Sequence, residues 1–373
     1  MRASRGWRLY LWEPTVSPHK LGLFDALAKS PAVEEITYIA EKPLTPERRE
    51  LGWAVPEPLA PERLIIAPDK KQIHDIVSHA HANAIHIFSG IHWVPCIESG
   101  IAEAIRLQRH FGLMHEARAF EGLKGWARLA HSWITEGALR RSADFVLAIG
   151  RHGPRWFASA GYQRRKIFPF AYFLPYHEAR HETTKGATRI CFLGRLTQDK
   201  GLPLFLDALH LTHNHVHAEI AGTGPEEPAV EAAVHRSGGA LRHRGVLAMK
   251  DVPAFLAQTD VLVLPSRTKQ DGWGAAITEA LLQGAAVVAT DLVGGSICLD
   301  DRSRGRVVKR LSPLALARAI DDLIDGGLLT VELRQHRSEW AQNHLTDTAG
   351  ARYLLDILSH LYQSGPRPPP FYA

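Results

Sequence analysis

Two acidic residues lie eight positions apart in a glycine-punctuated stretch, and their spacing suggests a binding site. Asp271 opens the sequence Asp-Gly-Trp-Gly, and Glu279 follows inside a segment with helical character. If the helix begins near Gly274, Glu279 lies roughly 7–8 Å along its axis, at about 1.5 Å per residue. The backbone N–H groups of Gly274, Ala275 and Ala276 then project from the helix start, where they suit a phosphate. The stretch therefore predicts half of a sugar-nucleotide site.

Two cations and two glycine turns follow other strand-like runs in the same half of the chain. Arg195 and Lys200 come directly after one such run, where two positive charges could neutralise a diphosphate. Gly222 and Gly224 form a turn at the end of the next strand-like run, and such a turn lets a ligand or another backbone come close. Val246 is the last residue of a third strand-like run. Taken singly, each signal is weak, because charges after strands are commonly surface residues and such turns are often only turns.

In order and spacing, these segments resemble the donor-binding domain of glycosyltransferase family 4, the retaining enzymes of GT-B fold. The resemblance covers residues 189–325. The form Arg-Thr-Lys-Gln-Asp-Gly-Trp-Gly, at residues 267–274, is similar to a bacterial branch that builds surface polysaccharides and lipopolysaccharide. The resemblance implies an α/β protein of GT-B fold, with two Rossmann-like domains facing a central cleft and a last helix that crosses back to the first domain.

The resemblance also implies roles for four charged residues of the second half. Arg195 and Lys200 would bind the donor diphosphate, and Glu279 would hold the ribose hydroxyls. Asp271 takes the first acidic position, where glutamate is usual, and would face the donor sugar. We expect Arg195, Lys200 and Asp271 to act in catalysis.

Five further residues are implied to contact the donor. The backbone at Gly274 and Ala275 would meet the sugar or phosphate, and Gly222 and Gly224 would line the cleft. Val246 lies where the nucleobase is commonly held. These residues complete the expected donor-binding set.

The first half of the chain offers His115 as a further catalytic candidate and two candidates for the acceptor side, Glu116 and His19. His115 and Glu116 are adjacent, at a position where family members often carry a polar residue near the transferred sugar. His19 lies in a proline-rich first loop, where family members usually have glycines. Each histidine is either an active-site residue or a buried structural histidine. Both readings stay open here.

The mechanism implied is metal-independent transfer of a sugar with retention at the anomeric carbon. The donor would be a UDP- or GDP-sugar, and the acceptor a saccharide or a lipid-linked saccharide. No Asp-x-Asp metal motif is present, so no metal or other cofactor is expected.

Composition excludes several other classes of protein. The chain has 373 residues, of which 45% are hydrophobic and 22% charged, which is typical of a soluble globular protein with two domains. The excess of five positive charges is not clustered in basic tracts, so no nucleic-acid partner is expected. Three widely spaced cysteines suggest neither a disulfide framework nor a zinc site.

The sequence also bears on location. The first twelve residues lack an apolar signal core, and no stretch reaches about 18 apolar residues. We therefore expect a cytoplasmic protein, with any contact to the inner membrane being peripheral. Basic residues at 140–141 and 164–166 could assist such contact, although a solvated surface is an equal alternative.

Strand-like and helix-like segments alternate along the whole chain, which predicts open, mostly parallel sheets with helices on both faces. Predicted strands cover residues 8–12, 36–40, 64–67, 84–89 and 145–149, with a further strand directly before His115, and then 189–193, 217–221, 241–246, 260–264 and 285–289. A polar segment at 172–187 predicts a linker. The predicted domains are residues 1–177 for the acceptor, 186–343 for the donor, and a helix and tail at 344–373 that pack on the first domain.

Two rival functions remain at this stage. A sugar-nucleotide epimerase of GT-B fold would bind the same donor without an acceptor. A non-catalytic donor-binding partner would bind nucleotide without turnover. A dinucleotide-dependent dehydrogenase is disfavoured, because no strand is followed by Gly-x-Gly-x-x-Gly.

Overall fold

The structure is a computed structural model that describes residues 6–55, 63–118, 122–181 and 186–373. Its first domain contains these elements: β1 (Trp7–Glu13), α1 (Pro18–Ala28), β2 (Val33–Ala40), α2 (Pro46–Glu50), β3 (Leu64–Ile66), α3 (Lys70–His79), β4 (Ile85–Phe88), α4 (Pro95–Arg106), β5 (His110–Glu116), α5 (Gly122–Thr135), α6 (Gly137–Ser142), β6 (Phe145–Ile149), α7 (Gly153–Ser159) and β7 (Ile167–Phe170).

The second half continues the alternation of strand and helix. Its elements are β8 (Thr188–Leu193), α8 (Leu202–Leu211), β9 (Val216–Ala221), α9 (Glu227–Arg236), β10 (Leu241–His243), α10 (Val252–Ala257), β11 (Val261–Leu264), α11 (Ala275–Leu282), β12 (Ala286–Thr290), β13 (Gly305–Val308), α12 (Pro313–Asp325), α13 (Val331–Leu345) and α14 (Asp347–Tyr362).

The strands form two parallel sheets. The first has the order β3-β2-β1-β4-β5-β6-β7, and the second the order β10-β9-β8-β11-β12-β13. Strands such as β6, β11 and β12 are apolar and buried along their whole length, because helices cover both faces of each sheet. The strand order reverses between β1 and β4 and between β8 and β11, and ligands of open α/β sheets bind outside the carboxyl ends at such points. The expected pair of Rossmann-like domains is confirmed.

The last helices return the chain to the first domain. Helix α13 packs on α11 of the second domain, and α14 packs on α1 of the first. The crossing is fixed by a short bridge in which Leu174 and Thr346 pair as parallel strands. Phe371, 6% exposed, packs against Phe173 and Trp273, with ring centroids 5.5 and 6.0 Å away. The expected crossing helix is therefore present, while the predicted domain boundaries stay predictions. Residues 182–185 of the predicted linker lie outside the described residues.

Direct contacts hold the two domains face to face. Arg151, after β6, donates from Nε to Ser296 Oγ and from Nη2 to Ser296 O, each at 2.8 Å, and pairs with Asp300 at 2.5 Å. At the other side, the backbone N–H of Met249 donates to Gly52 O at 3.1 Å. The carboxyl ends of both sheets consequently face one cleft.

Some sequence predictions differ from the structure. The helical spacing of apolar residues over 123–141 predicts one long helix, but α5 and α6 are separate, because the backbone leaves helical geometry at the buried Glu136 between them. Strands β7 and β13 were not predicted. Both are four-residue edge strands whose sequences, with Pro169 in one and Arg306 in the other, lack a continuous apolar run. Strand β10 ends at His243, three residues before its predicted end.

Among the described residues, no helix has both the length and the hydrophobicity that crossing a bilayer requires.

Replacing Arg337 should destabilise the second domain. Arg337 is 1% exposed and donates to three carbonyl groups, those of Gly284, Leu328 and Ser303, at 2.7, 2.8 and 3.1 Å. We expect Arg337→Ala to lower the free energy of unfolding by about 3 kcal/mol, because three buried acceptors lose their donor. Calorimetric unfolding of the variant beside the wild type measures this loss.

Arg302→Ala is the matched control, because the Arg302 side chain is 74% exposed and pairs only at the surface with Asp322. Its unfolding temperature should equal that of the wild type. Equal unfolding temperatures for both variants would show that Arg337 does not hold together the segments that carry Gly284, Ser303 and Leu328.

Candidate active site

A cavity of about 350 Å³ lies between the carboxyl ends of the two sheets. Side chains of both domains line it. The predicted site residues that line it are His19, Glu116, Arg195, Lys200, Gly222, Val246, Asp271, Gly274, Ala275 and Glu279. The other two predicted residues, His115 and Gly224, pack behind its wall. Residues that end or follow six different strands thus meet in one cavity between the domains.

Arg195 and Lys200 place two positive charges at the end of β8. Arg195 is exposed to the cavity and makes no ion pair or side-chain hydrogen bond within the described part of the chain. Lys200 directly precedes the glycine that caps α8. Burial, and then the nearby Arg195 guanidinium, lower the pKa of Lys200 to about 8, while Glu116 acts in the opposite direction. Two like charges held this close favour an anion between them.

Asp271 is held by its own domain. One carboxylate oxygen pairs with Lys200 Nζ, and the other accepts a hydrogen bond from Ser266 Oγ. Ser266, which sequence analysis did not identify, follows β11 and is fully buried. With both oxygens engaged, Asp271 positions Lys200 in this structure. Its expected contact with a donor sugar stays a prediction.

Helix α11 presents its N-terminus to the cavity. Gly274 caps the helix with φ +74°, and the first-turn N–H groups of Ala275 and Ala276 have no partner within an α-helix. Glu279 lies one turn further along, and burial raises the pKa of its carboxyl to about 7. The arrangement offers N–H donors and a hydrogen-bond acceptor on one face of the same helix, as the sequence predicted.

The glycine turns after β8 and β9 pack against each other. Gly222 has φ +139°, and a Cβ there would lie 1.9 Å from Gly194 O, so only glycine fits. A Cβ on Gly224 would lie 2.5 Å from Leu196 O, which places Gly224 behind the wall. Val246 is 41% exposed and borders the open side of the cavity.

Glu116 of the first domain reaches across the cleft. Its Oε1 accepts a hydrogen bond from the backbone N–H of Trp273 at 3.0 Å. Gly272 has φ +63°, and a Cβ there would lie 2.2 Å from Glu116 Oε2. The absence of a side chain at Gly272 therefore lets the Glu116 carboxylate of the first domain reach the loop that precedes α11 in the second.

His115 lies behind Glu116, with its Nδ1 2.5 Å from Glu116 O. Burial lowers its pKa, so the ring is neutral at physiological pH. Of the two adjacent candidates, Glu116 is the one that lines the cavity. A catalytic role for His115 stays a prediction.

His19 lines the cavity from the first loop. Its ring meets the Trp53 ring edge-on at 4.6 Å, and burial, followed by the charges of Arg48 and Lys20, lowers its pKa to about 4. Leu51 and Trp53 border the same space, and sequence analysis missed both. The only signal was a tryptophan next to a glycine in a polar segment, where no strand or helix pattern marks its position.

One group of potential metal ligands occurs among the described residues, outside the cavity lining. Glu227, Glu231 and His243 bring three ligand atoms within 4.8 Å of one another. His243 Nδ1 is 2.8 Å from Glu231 Oε1, and its Nε2 is 3.0 Å from Gly222 O, so both ring nitrogens face acceptors. Two acceptors suit a protonated imidazole. The expectation of metal independence stays a prediction.

Comparison with known proteins agrees with this geometry. Residues 187–326 match the family described as glycosyl transferases group 1. A curated relative, the alpha-D-kanosaminyltransferase of Streptomyces kanamyceticus, is 24% identical over 226 residues, which are 56% of this chain. The matched region spans about half of that relative, 56% of its length.

Two solved structures are similar over nearly the whole chain. Anabaena HepE, in complex with UDP, has a TM-score of 0.68 at 15% identity, over 95% of this chain and 100% of that one. The lipopolysaccharide outer core galactosyltransferase WaaB, without ligand, has a TM-score of 0.68 at 12% identity, over 95% of this chain and 99% of that one. These similarities confirm the GT-B fold. The match to the family model lies within the second domain, at residues 187–326.

Proposed function

We propose that this protein transfers a sugar from a nucleotide-diphosphate sugar to a saccharide or lipid-linked acceptor, with retention at the anomeric carbon and without a metal ion. The observation that carries the proposal is the meeting of Arg195, Lys200 and Glu279 with the N-terminus of α11 in one interdomain cavity. Bacterial surface polysaccharide synthesis, including that of lipopolysaccharide, is the proposed role. The proposed location is the cytoplasm, with peripheral contact to the inner membrane.

The phosphate side of the cavity would stabilise the leaving group. When the bond between the anomeric carbon and the phosphate oxygen breaks, negative charge develops on the nucleoside diphosphate. Arg195, Lys200 and the N–H groups at the start of α11 are placed to bind that charge. Asp271 would keep Lys200 aimed at the diphosphate.

The other end of the donor would extend along α11. Glu279 can accept hydrogen bonds from the two ribose hydroxyls once its carboxyl is ionised. Val246, with Trp53 facing it from the first domain, would border the nucleobase. The UDP bound by the Anabaena structure supports a uridine nucleotide as the first donor to test, with GDP-sugars as the second choice.

The acceptor would enter from the first domain, past Glu116, with His115 and His19 as further candidates. Its hydroxyl oxygen forms the new bond on the face of the sugar that the phosphate leaves, which gives retention. The departing phosphate oxygen takes the hydroxyl proton, so no dedicated pair of carboxylates is needed. The first domain would position the acceptor, and the second would hold the donor.

Arg195→Ala and Lys200→Ala should each lower kcat/KM for sugar transfer at least about 100-fold, because each removes a charge that stabilises the leaving group. The measurement is transfer of radiolabelled sugar from a panel of UDP- and GDP-sugars to a panel of saccharides and lipid-linked saccharides. Proton NMR of the product then reports the anomeric configuration.

Exposed Arg310→Ala and Lys309→Ala, at the edge of the second domain, are the matched controls and should behave as the wild type. Near wild-type transfer by both Arg195→Ala and Lys200→Ala would contradict the diphosphate assignment. Inversion at the anomeric carbon would contradict the proposed mechanism.

The two rival functions give different results in the same assay. Conversion of the donor sugar to its epimer without any acceptor would identify an epimerase. A non-catalytic partner would bind nucleotide but turn over no acceptor. Its biological function would also survive Lys200→Ala.

Glu279 should make donor binding depend on pH. Because burial raises its pKa to about 7, the carboxyl is mostly neutral at pH 6 and mostly ionised at pH 8. We expect nucleoside diphosphate to bind about fivefold more tightly at pH 8 than at pH 6, because ionisation of Glu279 strengthens ribose binding about tenfold while Lys200, whose pKa is about 8, loses about half of its charge. Titration calorimetry in buffers of different ionisation enthalpy measures the affinity and the proton released.

Glu279→Gln provides the comparison, because it keeps the shape and cannot titrate. The variant should bind nucleoside diphosphate weakly at both pH values. Any pH dependence that remains in the variant comes from the phosphate and from the other titrating groups of the protein. The same pH profile in variant and wild type would exclude the ribose-binding role of Glu279.

A further inference from the structure

Helix α5 turns small and polar residues toward its own domain. Its buried or half-buried positions are Gly125, Leu129 and Ser132, followed by Glu136 at the break before α6. At about 100° per residue these positions form one stripe along the helix. An amphipathic helix on a globular domain normally buries its apolar face. Here the inward stripe contains a single large apolar side chain.

The apolar face of α5 is exposed instead. Leu123 is 89%, Trp126 70%, Trp133 53% and Ile134 82% exposed. With Ala127 and Ala130 between them, these side chains share an arc of about 120° at 100° per residue. Such a contiguous apolar surface, unlike a single exposed leucine, indicates a binding surface.

A polar network holds the helix in this orientation. The carboxylate of Glu136, which is 1% exposed, pairs with Arg118 at 2.8 Å and accepts hydrogen bonds from Ser132 Oγ at 2.8 Å and Tyr162 OH at 2.9 Å. His92 approaches the same carboxylate at 3.2 Å. This network and Trp133, whose Nε1 donates to Ser159 O at 3.0 Å, fix the C-terminal end of α5 to the domain, while Leu123, Trp126 and Ile134 of the apolar arc stay exposed.

A second exposed tryptophan-bearing segment adjoins the helix. Trp93 is 92% exposed, and the ring of the preceding His92 lies 6.0 Å from the ring of His131 in α5. Trp93 therefore extends the same exposed surface beyond the helix.

Basic residues border the apolar arc. His131, Lys124 and Arg128 occupy the next 60° of the helix, between the apolar arc and the buried stripe. On the other side, the Trp133 ring lies against Gly161, in the loop that leads to the exposed Arg164 and Arg165. No acidic residue belongs to α5.

We propose that the exposed face of α5, with Trp93, docks on an anionic lipid bilayer surface. Apolar side chains would enter the boundary between head groups and acyl chains, tryptophans would lie at that boundary, and the basic arc would meet anionic head groups. A second copy of this chain fits less well, because a two-fold contact would bring the basic arc of one copy near that of the other.

The exposed face of α5 follows a cleft residue closely in the sequence. Glu116 lines the cavity at the end of β5, and α5 begins six residues later at Gly122. A docked helix would bring the acceptor side of the cleft near the bilayer. This inference rests on the proposed function only in linking the surface to a lipid-linked acceptor; the docking itself depends on the exposed face.

Vesicle flotation of the full chain tests the docking. Vesicles of phosphatidylcholine alone are compared with vesicles that contain phosphatidylglycerol, at low and high salt. We expect binding to the anionic vesicles, weakened by salt, and a blue shift of tryptophan fluorescence. The double variant Trp126→Ser with Ile134→Ser should bind at least about tenfold more weakly, since each lost side chain buries apolar area. Lys124→Glu should weaken binding to the anionic vesicles and leave binding to the phosphatidylcholine vesicles unchanged.

Leu314→Ser with Val331→Ser is the matched control, because both side chains are about half exposed in the second domain, at 46% and 51%. It should bind vesicles as the wild type does. Thermal melting shows that all variants fold, and their affinity for nucleoside diphosphate should stay unchanged.

Three results would overturn the inference. They are the absence of vesicle binding, equal binding by the double variant and the wild type, and concentration-dependent self-association that the double variant abolishes. The last would identify the face as a contact between copies. Loss of nucleotide binding with intact vesicle binding would instead contradict the proposed function and leave the docking surface in place.

Discussion

The approach of Arg195 and Lys200 at the end of one strand is the constraint on which the site depends. The two cations repel each other, and burial adds to the cost of keeping Lys200 charged. Asp271 offsets part of the cost of keeping Lys200 charged, because the two side chains form an ion pair. No residue in the described part of the chain pairs with Arg195. Arg195 therefore presents an unpaired positive charge to the cavity that an anionic ligand would neutralise, and the first turn of α11 adds N–H donors to the lining of the same cavity.

The fold keeps this charge in the cleft between the domains. Both sheets direct their carboxyl ends into the cleft, and the turns after β8 and β9 touch through Gly194 and Gly222. The domains meet on both sides of the cavity, through Arg151 with Ser296 and through Gly52 with Met249. Partial burial between the domains lowers the local dielectric constant, so each charge in the cleft acts more strongly on a bound ligand than it would in open solvent.

The sequence predicted the elements whose patterns are long and regular. Buried parallel strands give continuous apolar runs, and the spacing from Asp271 to Glu279 correctly placed a helix start between them. Residues that act through tertiary contact left no such pattern. Ser266 is one hydroxyl in a polar loop, and no pattern marks its bond to Asp271 five residues later. Trp53 lies in a segment without periodicity, and its ring packs on His19 from a different element.

Helix α5 shows a second reason why sequence patterns are insufficient. Its periodicity identifies an amphipathic helix but does not say which face points inward. That choice depends on Glu136, whose buried carboxylate gathers Arg118 and Tyr162 from elsewhere in the domain. The same residue divides the predicted long helix into α5 and α6. One buried charge therefore decides both the break and the orientation.

A crystal structure of the protein with a nucleoside diphosphate sugar tests the central claim most directly. The account predicts the diphosphate between Arg195, Lys200 and the N-terminus of α11, with the ribose hydroxyls on Glu279 and the sugar toward Glu116. A nucleotide bound outside the interdomain cavity, or bound within it with its phosphates away from both cations, would contradict the account.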